Sequence, residues 1–145
     1  MLAEAVSVGP IKVTYVHEDP ASGYALLEWE SPPMAASPPV HIHHRTEEGF
    51  YVLSGVYRFL VDGSEIDGRS GTHVLVRPGV AHTFWNAGDV PARCLIILAP
   101  SDFAPYFREL SDGLAGAESE EDAINVRRNL SARYDIEVVG RPIQP

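Results

Sequence analysis

His41-Ile42-His43 places two imidazoles two residues apart. In an extended chain such residues point to one face, with Cα atoms ~7 Å apart, and two ring nitrogens can converge on one ion at ~2.1 Å each. Taken alone, the pair is a weak signal, and two surface histidines is the competing reading. Glu48 follows five residues after His43 and opens a stretch in which Phe50 and Val52 share its face. An unpaired carboxylate aimed at an apolar interior is costly, and a cation held by His41 and His43 removes that cost. Glu47 faces the other way, where solvent is its natural home. His82 comes after the Pro78-Gly79 turn, and its two-residue partner Phe84 is again apolar, which puts His82 on an inward face. Three neutral imidazoles and one carboxylate suit Fe²⁺, Mn²⁺, Co²⁺, Ni²⁺, Cu²⁺ or Zn²⁺ and suit Ca²⁺ or Mg²⁺ poorly. The expected cofactor is one such divalent transition metal on His41, His43, Glu48 and His82. One or two of its positions stay open for water, substrate or O₂.

Short strands must position these groups. Residues 11–16 alternate apolar and polar, and a second apolar run covers Tyr24–Trp29. Between Ser31 and Pro39 stand four prolines, which cannot donate to a ladder, so this stretch is a stiff loop leading into the histidines. Phe50–Leu53 and Val56–Val61 read as strands paired around Ser54-Gly55, and Asp62-Gly63 closes the second with a turn. Thr72–Val76 follows, then Thr83–Trp85 and Ala92–Leu98 as an antiparallel pair across Ala87-Gly88-Asp89. Six to eight strands at this spacing indicate an all-β barrel or sandwich. The character changes after Pro100. Asp102–Leu110 suits a short helix, and Ser119 with Asp122 caps a second one running to about Tyr134. On it Ala123, Val126, Leu130 and Tyr134 share a face, suited to covering apolar barrel surface. Ile136–Val139 suits a last strand. We read one domain over 1–145, with the barrel core at about 10–100 and a short C-terminal helical tail at about 101–145.

Composition excludes more than it names. With 145 residues, 45% hydrophobic and 21% charged, the chain is long enough for one buried core. A net charge of −9 argues against nucleic acid and against an anionic membrane surface. The late acidic cluster Glu118, Glu120, Glu121 and Asp122 reads as a solvated helix start. Cys94, the single cysteine, sits in an apolar run and is expected to be buried and inert. No apolar stretch reaches the ~18 residues of a membrane span, and no signal peptide is visible, so the expected location is cytoplasmic.

At this point the residues carry a family likeness. His41-Ile42-His43, Glu48 and Gly55 at their spacing resemble the first motif of the cupin superfamily, and Gly71, Gly79, His82 and Asn86 resemble the second. Ala35 stands where the first motif usually has glycine, and Arg77 where the second usually has proline; neither is a ligand position. The resemblance implies a double-stranded β-helix, or jelly-roll barrel, with the metal in its mouth, and commonly a homodimer. Among single-domain members, Glu48–Gly55 and Pro78–Asn86 look most like the quercetin-dioxygenase-like group.

Fold leaves the reaction open. The first reading is a dioxygenase on an aromatic or enolic small molecule, with the metal as Lewis acid and template and Glu48 as general base for the substrate hydroxyl. The second is a non-redox isomerase, lyase or cyclase on the same ligands. The third is a non-catalytic small-molecule binding or sensing module. Tyr57, Phe59 and Phe84 are the candidate substrate-pocket residues, with Arg58 another side chain that could reach it; core packing is the competing role for the aromatics. His44 is assigned to second contacts or solvent, His17 and His73 to surface or core, and Asn86 to a turn-stabilising hydrogen bond.

Overall fold

The computed structural model describes residues 3–145. Eleven strands are seen among them, and they form two antiparallel sheets facing each other. In chain order they are β1 (Ala5–Val8), β2 (Ile11–Glu18), β3 (Ala25–Ser31), β4 (His41–Ile42), β5 (Glu47–Ser54), β6 (Tyr57–Val61), β7 (Ser64–Gly68), β8 (His73–Val76), β9 (His82–Asn86), β10 (Ala92–Ala99) and β11 (Glu137–Val138). The first sheet runs β1-β2-β3-β10-β5-β8 and the second β11-β4-β9-β6-β7. This is the jelly-roll barrel, the double-stranded β-helix. Two helices follow the barrel, α1 (Tyr106–Ala115) and α2 (Glu120–Ser131). Among the described residues no helix is long and apolar enough to cross a membrane.

Alternation builds the core. On β3, Ala25, Leu27, Trp29 and Ser31 are buried; on the neighbouring β10, Ala92, Cys94, Ile96 and Leu98 are. Cys94 lies wholly inside, and burial pushes its thiol pKa up. The second sheet contributes Tyr57, Phe59 and Phe84, with the Phe59 and Phe84 rings stacked 5.8 Å apart. Such interdigitation of inward faces is what holds two sheets together.

Two expected pairings are corrected. β5 and β6 flank Ser54-Gly55 but do not pair, because β5 belongs to the first sheet and β6 to the second. The same is true of β9 and β10 across residues 87–91. Both turns are corners that carry the chain from one sheet to the other. Gly55 marks the first corner, with φ of 74°, and a Cβ there would lie 2.6 Å from that of Ala92. Alternation in a sequence tells which face a residue takes; it does not tell which sheet its strand joins.

Asp62-Gly63, by contrast, is a true hairpin turn joining β6 to β7, with φ of 50° and 79° as two-residue hairpins prefer. The strand β7 itself escaped the sequence reading. It is an edge strand, and Ser64, Glu65, Ile66 and Asp67 are all exposed, so no apolar alternation announces it. In the tail, the expected helix over Asp102–Leu110 divides into a 3₁₀ turn at Ser101–Phe103 and α1. Pro105 separates them, since it has no N–H to continue the first turn and is preset for the start of the next helix. Ser119 caps α2 by accepting from the Asp122 N–H at 3.0 Å.

Candidate metal centre

The four chemistry-bearing side chains come from both sheets. His41 on β4 stands directly across the ladder from His82 on β9. His43 follows the end of β4, and Glu48 reaches in from β5 in the opposite sheet. All four are buried, and one potential ligand atom from each lies within 4.8 Å of all the others. The His41 and His82 rings are 4.3 Å apart, and His41 and His43 4.9 Å. The backbone fixes this convergence at one further point. Gly79, in the turn before β9, donates its N–H to the His43 carbonyl at 2.7 Å, tying the two ligand-bearing segments together.

The outer nitrogens decide what the inner ones can do. Nδ1 of His41 lies 2.7 Å from the Pro39 carbonyl, Nδ1 of His43 2.6 Å from that of Asp135, and Nδ1 of His82 2.9 Å from that of Val80. A carbonyl only accepts, so each Nδ1 carries its proton and each neutral ring presents an Nε2 lone pair. Backbone ties of this kind orient metal-binding imidazoles. Glu48 Oε1 sits 2.9 Å from His82 Nε2 and 3.7 Å from His43 Nε2. Two donors at ~2.1 Å from one ion are ~3.0 Å apart at a right angle, so the spacing suits a shared cation of first-row size.

The electrostatics agree. In the metal-free chain His82 already donates from Nδ1, so Nε2 facing a carboxylate must carry a second proton. Burial opposes that charge, but the Glu48 hydrogen bond and charge outweigh it and raise the His82 pKa. Burial likewise pushes the Glu48 carboxyl up, while the His82 hydrogen bond and the three nearby histidines overcome it and hold the carboxyl low. His41 behaves differently. Burial, helped by the charges of His82 and His43, pulls it down to about 3, so it stays neutral and available as a ligand. Glu48 and His82 thus form a buried ion pair that a metal cation would replace.

A cavity of about 460 Å³ opens on this cluster, with His41, His43 and Glu48 on its wall. Trp29, Phe84 and Ile96 line it from the barrel, and Phe103, Phe107 and Leu110 from the tail. The Phe103 ring meets the His43 ring edge-on at 4.6 Å. The tail therefore completes the cavity as well as covering apolar surface.

Of the three expected pocket residues, only Phe84 lines this cavity. Tyr57 and Phe59 are buried in the core, and Tyr57 donates to the Ala92 carbonyl at 2.9 Å beside the Ser31 hydroxyl. Register explains the correction. On β6, Val61 stands opposite His82, Phe59 opposite Phe84 and Tyr57 opposite Asn86, so Tyr57 is four residues, ~13 Å, down the strand from the ligand end. Arg58 points outward and pairs with Asp67 at 2.8 Å. His44 is exposed and pairs with Glu137 at 2.6 Å, His73 is exposed, and His17 meets the Ser22 hydroxyl at 3.0 Å. Asn86 accepts from the Gly88 N–H at 2.8 Å and donates to the Ser31 and Val90 carbonyls, closing its turn.

Asp135 is the residue that sequence reasoning missed. Its carboxylate accepts from the backbone N–H groups of His44, Arg45 and Thr46 and from the Thr46 hydroxyl, all at 2.8 Å, while its carbonyl receives His43 Nδ1–H. It thus ties the tail to the loop between two ligands, and β11 then pairs with β4 beside His41. No spacing rule links position 135 to position 43. Its signal was only an acidic residue between a helix pattern and a strand pattern.

Residues 27–98 match the family model described as "Cupin domain". The chain is 37% identical over 60 residues to Protein SchB of Streptomyces halstedii, covering 41% of this chain and 44% of that one. It spans about half the length of the curated relatives it matches. Among solved structures it resembles a predicted oxalate decarboxylase from Thermotoga maritima, with a TM-score of 0.61 and 19% identity over 69% of this chain and 93% of that one. A putative sugar phosphate isomerase from Acidithiobacillus ferrooxidans gives a TM-score of 0.50 and 26% identity, over 54% and 51% of the two chains.

Proposed function

We propose that this chain, a cupin in fold and in the domain model its barrel matches, is a metal-dependent dioxygenase of a small aromatic or enolic molecule. The observation that carries the reading is the cluster of His41, His43, Glu48 and His82, with His41, His43 and Glu48 on the wall of an apolar cavity. The cavity volume falls in the ~300–1,000 Å³ range of small-molecule sites. When bound, a divalent transition metal on His41, His43, Glu48 and His82 supplies Lewis acidity and, if redox-active, a means of engaging O₂. The remaining work belongs to the chain. The backbone carbonyls behind each imidazole hold the rings in place, so no reorganisation is needed when a substrate enters. Trp29, Phe84 and Phe107 offer faces to a flat ring and exclude water. Glu48 is ionised at neutral pH and accepts the substrate hydroxyl proton at a carboxylate oxygen, after its hydrogen bond to His82 is released.

The test is metal identification on natively purified protein, followed by O₂-uptake measurements with flavonols and other enols on iron-, manganese- and nickel-loaded forms. Uptake above the metal-free background, lost in Glu48→Gln with metal retained, supports the reading. Absence of uptake with every metal, alongside isomerisation, elimination or cyclisation of an offered substrate, replaces it with the non-redox reading.

A homodimer is part of the same proposal. Tyr51, Leu75 and Ile97 stand exposed on the outer face of the first sheet around Gly49, an apolar patch that a second copy could cover. Light scattering on the wild type and Ile97→Glu reads it; a monomeric wild type removes it.

A further inference from the structure

The cavity wall is apolar except at a few places, and those places are informative. Beyond the candidate ligands, its polar side chains are Ser37, Tyr106, Arg127 and the exposed Gln144. Ser37 is already engaged, donating to the Pro38 carbonyl at 2.7 Å and accepting from the Ile143 N–H at 2.7 Å. Tyr106 and Arg127 are left, a phenol on α1 and a guanidinium on α2. They line the same cavity, where burial raises the Tyr106 phenol pKa and the neighbouring Arg127 guanidinium pulls the other way.

Arg58, Arg93, Arg108 and Arg133 each pair with a carboxylate, and of the arginines with no carboxylate partner among the described residues Arg127 alone is half-buried, the other five being exposed. Arg127 lines both the inner cavity and a groove outside it, between α2 and the β11 segment. A cation partly removed from water gains from an anion, and guanidinium donors match a carboxylate in two parallel hydrogen bonds. The Arg127 guanidinium can only donate, and the Tyr106 hydroxyl can donate beside it.

We propose that Arg127, with Tyr106 beside it, binds a carboxylate of the substrate, so that the molecule taken by this cavity is an aromatic or otherwise apolar organic acid. The inference rests on the metal-site reading for the other end of the molecule. The acid group sits at the tail helices, the apolar body lies against Trp29, Phe84 and Phe107, and an oxygen faces the four candidate ligands. Arg127 is then a specificity residue at the join between cavity and solvent, placed to select acids from neutral analogues before they reach the metal.

Two fluorescent probes test this on the full-length, metal-loaded protein. One is a hydroxynaphthoate with hydroxyl and carboxylate on opposite rings; the other is the matching naphthol without the carboxylate. The wild type is expected to bind the acid about tenfold or more tightly than the naphthol, and Arg127→Gln to bind both equally, with its metal content unchanged. Tyr106→Phe is expected to reduce the preference by a smaller factor. A wild type that does not distinguish the probes, or that binds neither, overturns the proposal. So does a preference that survives Arg127→Gln, because the carboxylate then sits elsewhere. Elemental analysis of the same samples separates the two claims. No metal with an intact Arg127-dependent preference fails the metal reading alone, and full metal with no preference fails the acid anchor alone.

Discussion

Removing the Asp135 carboxylate should weaken both the fold and the metal site, by amounts the hydrogen bonds allow us to work out. In Asp135→Ala four donors lose their acceptor. His44 and Arg45 are exposed, so water replaces the carboxylate at those two N–H groups at small net cost. Thr46 is buried, so its N–H and hydroxyl are left in a poor environment, at ~1–3 kcal/mol for each group unsatisfied. Allowing for some relaxation, the loss is about 3 kcal/mol. With a urea m-value of ~2 kcal/mol/M for a chain of this size, the unfolding midpoint of the metal-free protein should fall by ~1.5 M. Asp135→Asn can turn its amide oxygen toward Arg45 and Thr46 and forgo only the exposed His44 N–H, so ~1 kcal/mol is expected. Metal affinity should fall as well, because the Asp135 carbonyl receives His43 Nδ1–H and this segment is no longer fixed. Outer partners of metal ligands contribute ~10–100-fold, and a competition titration against a chelator reads that range. The carboxyl is held low because the Arg45 N–H and the Thr46 and His44 groups together outweigh its burial. A depressed carboxyl stabilises above its ordinary pKa and loses that contribution as pH falls, so the difference between Asp135→Ala and wild type should shrink toward strongly acidic pH. An Asp135→Ala protein with unchanged midpoint and metal affinity would refute the reasoning.

Three further outcomes are expected. His43→Ala and His82→Ala should each abolish stoichiometric metal in elemental analysis, and full retention would remove the site. Because the His82 pKa is raised, its extra proton is present below that value and must leave when metal binds; metal binding should therefore release protons, increasingly as pH falls toward that value, read by calorimetry in two buffers of different ionisation enthalpy. Release of none would show that His82 is not displaced from Glu48, and metal affinity should also weaken as the solution is acidified. Gly55→Ala should destabilise by ~2–5 kcal/mol in urea, combining the left-handed backbone penalty with overlap against Ala92, and a change under ~0.5 kcal/mol would contradict the tight corner.

The candidate ligands were legible because alternation marks inward faces. Glu48 stands in register with Phe50 and Val52, and His82 with Phe84, and those companions are buried as expected. What alternation cannot carry is depth along a strand or membership of a sheet. Tyr57 faces inward but lies at the packed end of β6, far from His82. The corners at Gly55 and at residues 87–91 resembled hairpins because both have turn chemistry, and only the global path separates the two cases. β7 has no buried face to reveal it. Tyr106, Arg127 and Asp135 belong to a tail whose contacts with the barrel span more than a hundred residues in some cases, such as the Ile143 N–H to Ser37. Local pattern holds no trace of such distances.

The partners behind the three imidazoles are all main-chain oxygens, those of Pro39, Val80 and Asp135. A side-chain partner can be deleted by one substitution, whereas a carbonyl is present whatever residue occupies the position. The orientation of the rings is therefore insulated from point changes at 39 and 80, so long as the chain keeps its course there. Sequence drift can rework the cavity walls without first dismantling the arrangement that aims the histidines. In such a barrel the geometry of the histidine cluster is inherited with the backbone, and the cavity lining is free to vary around it.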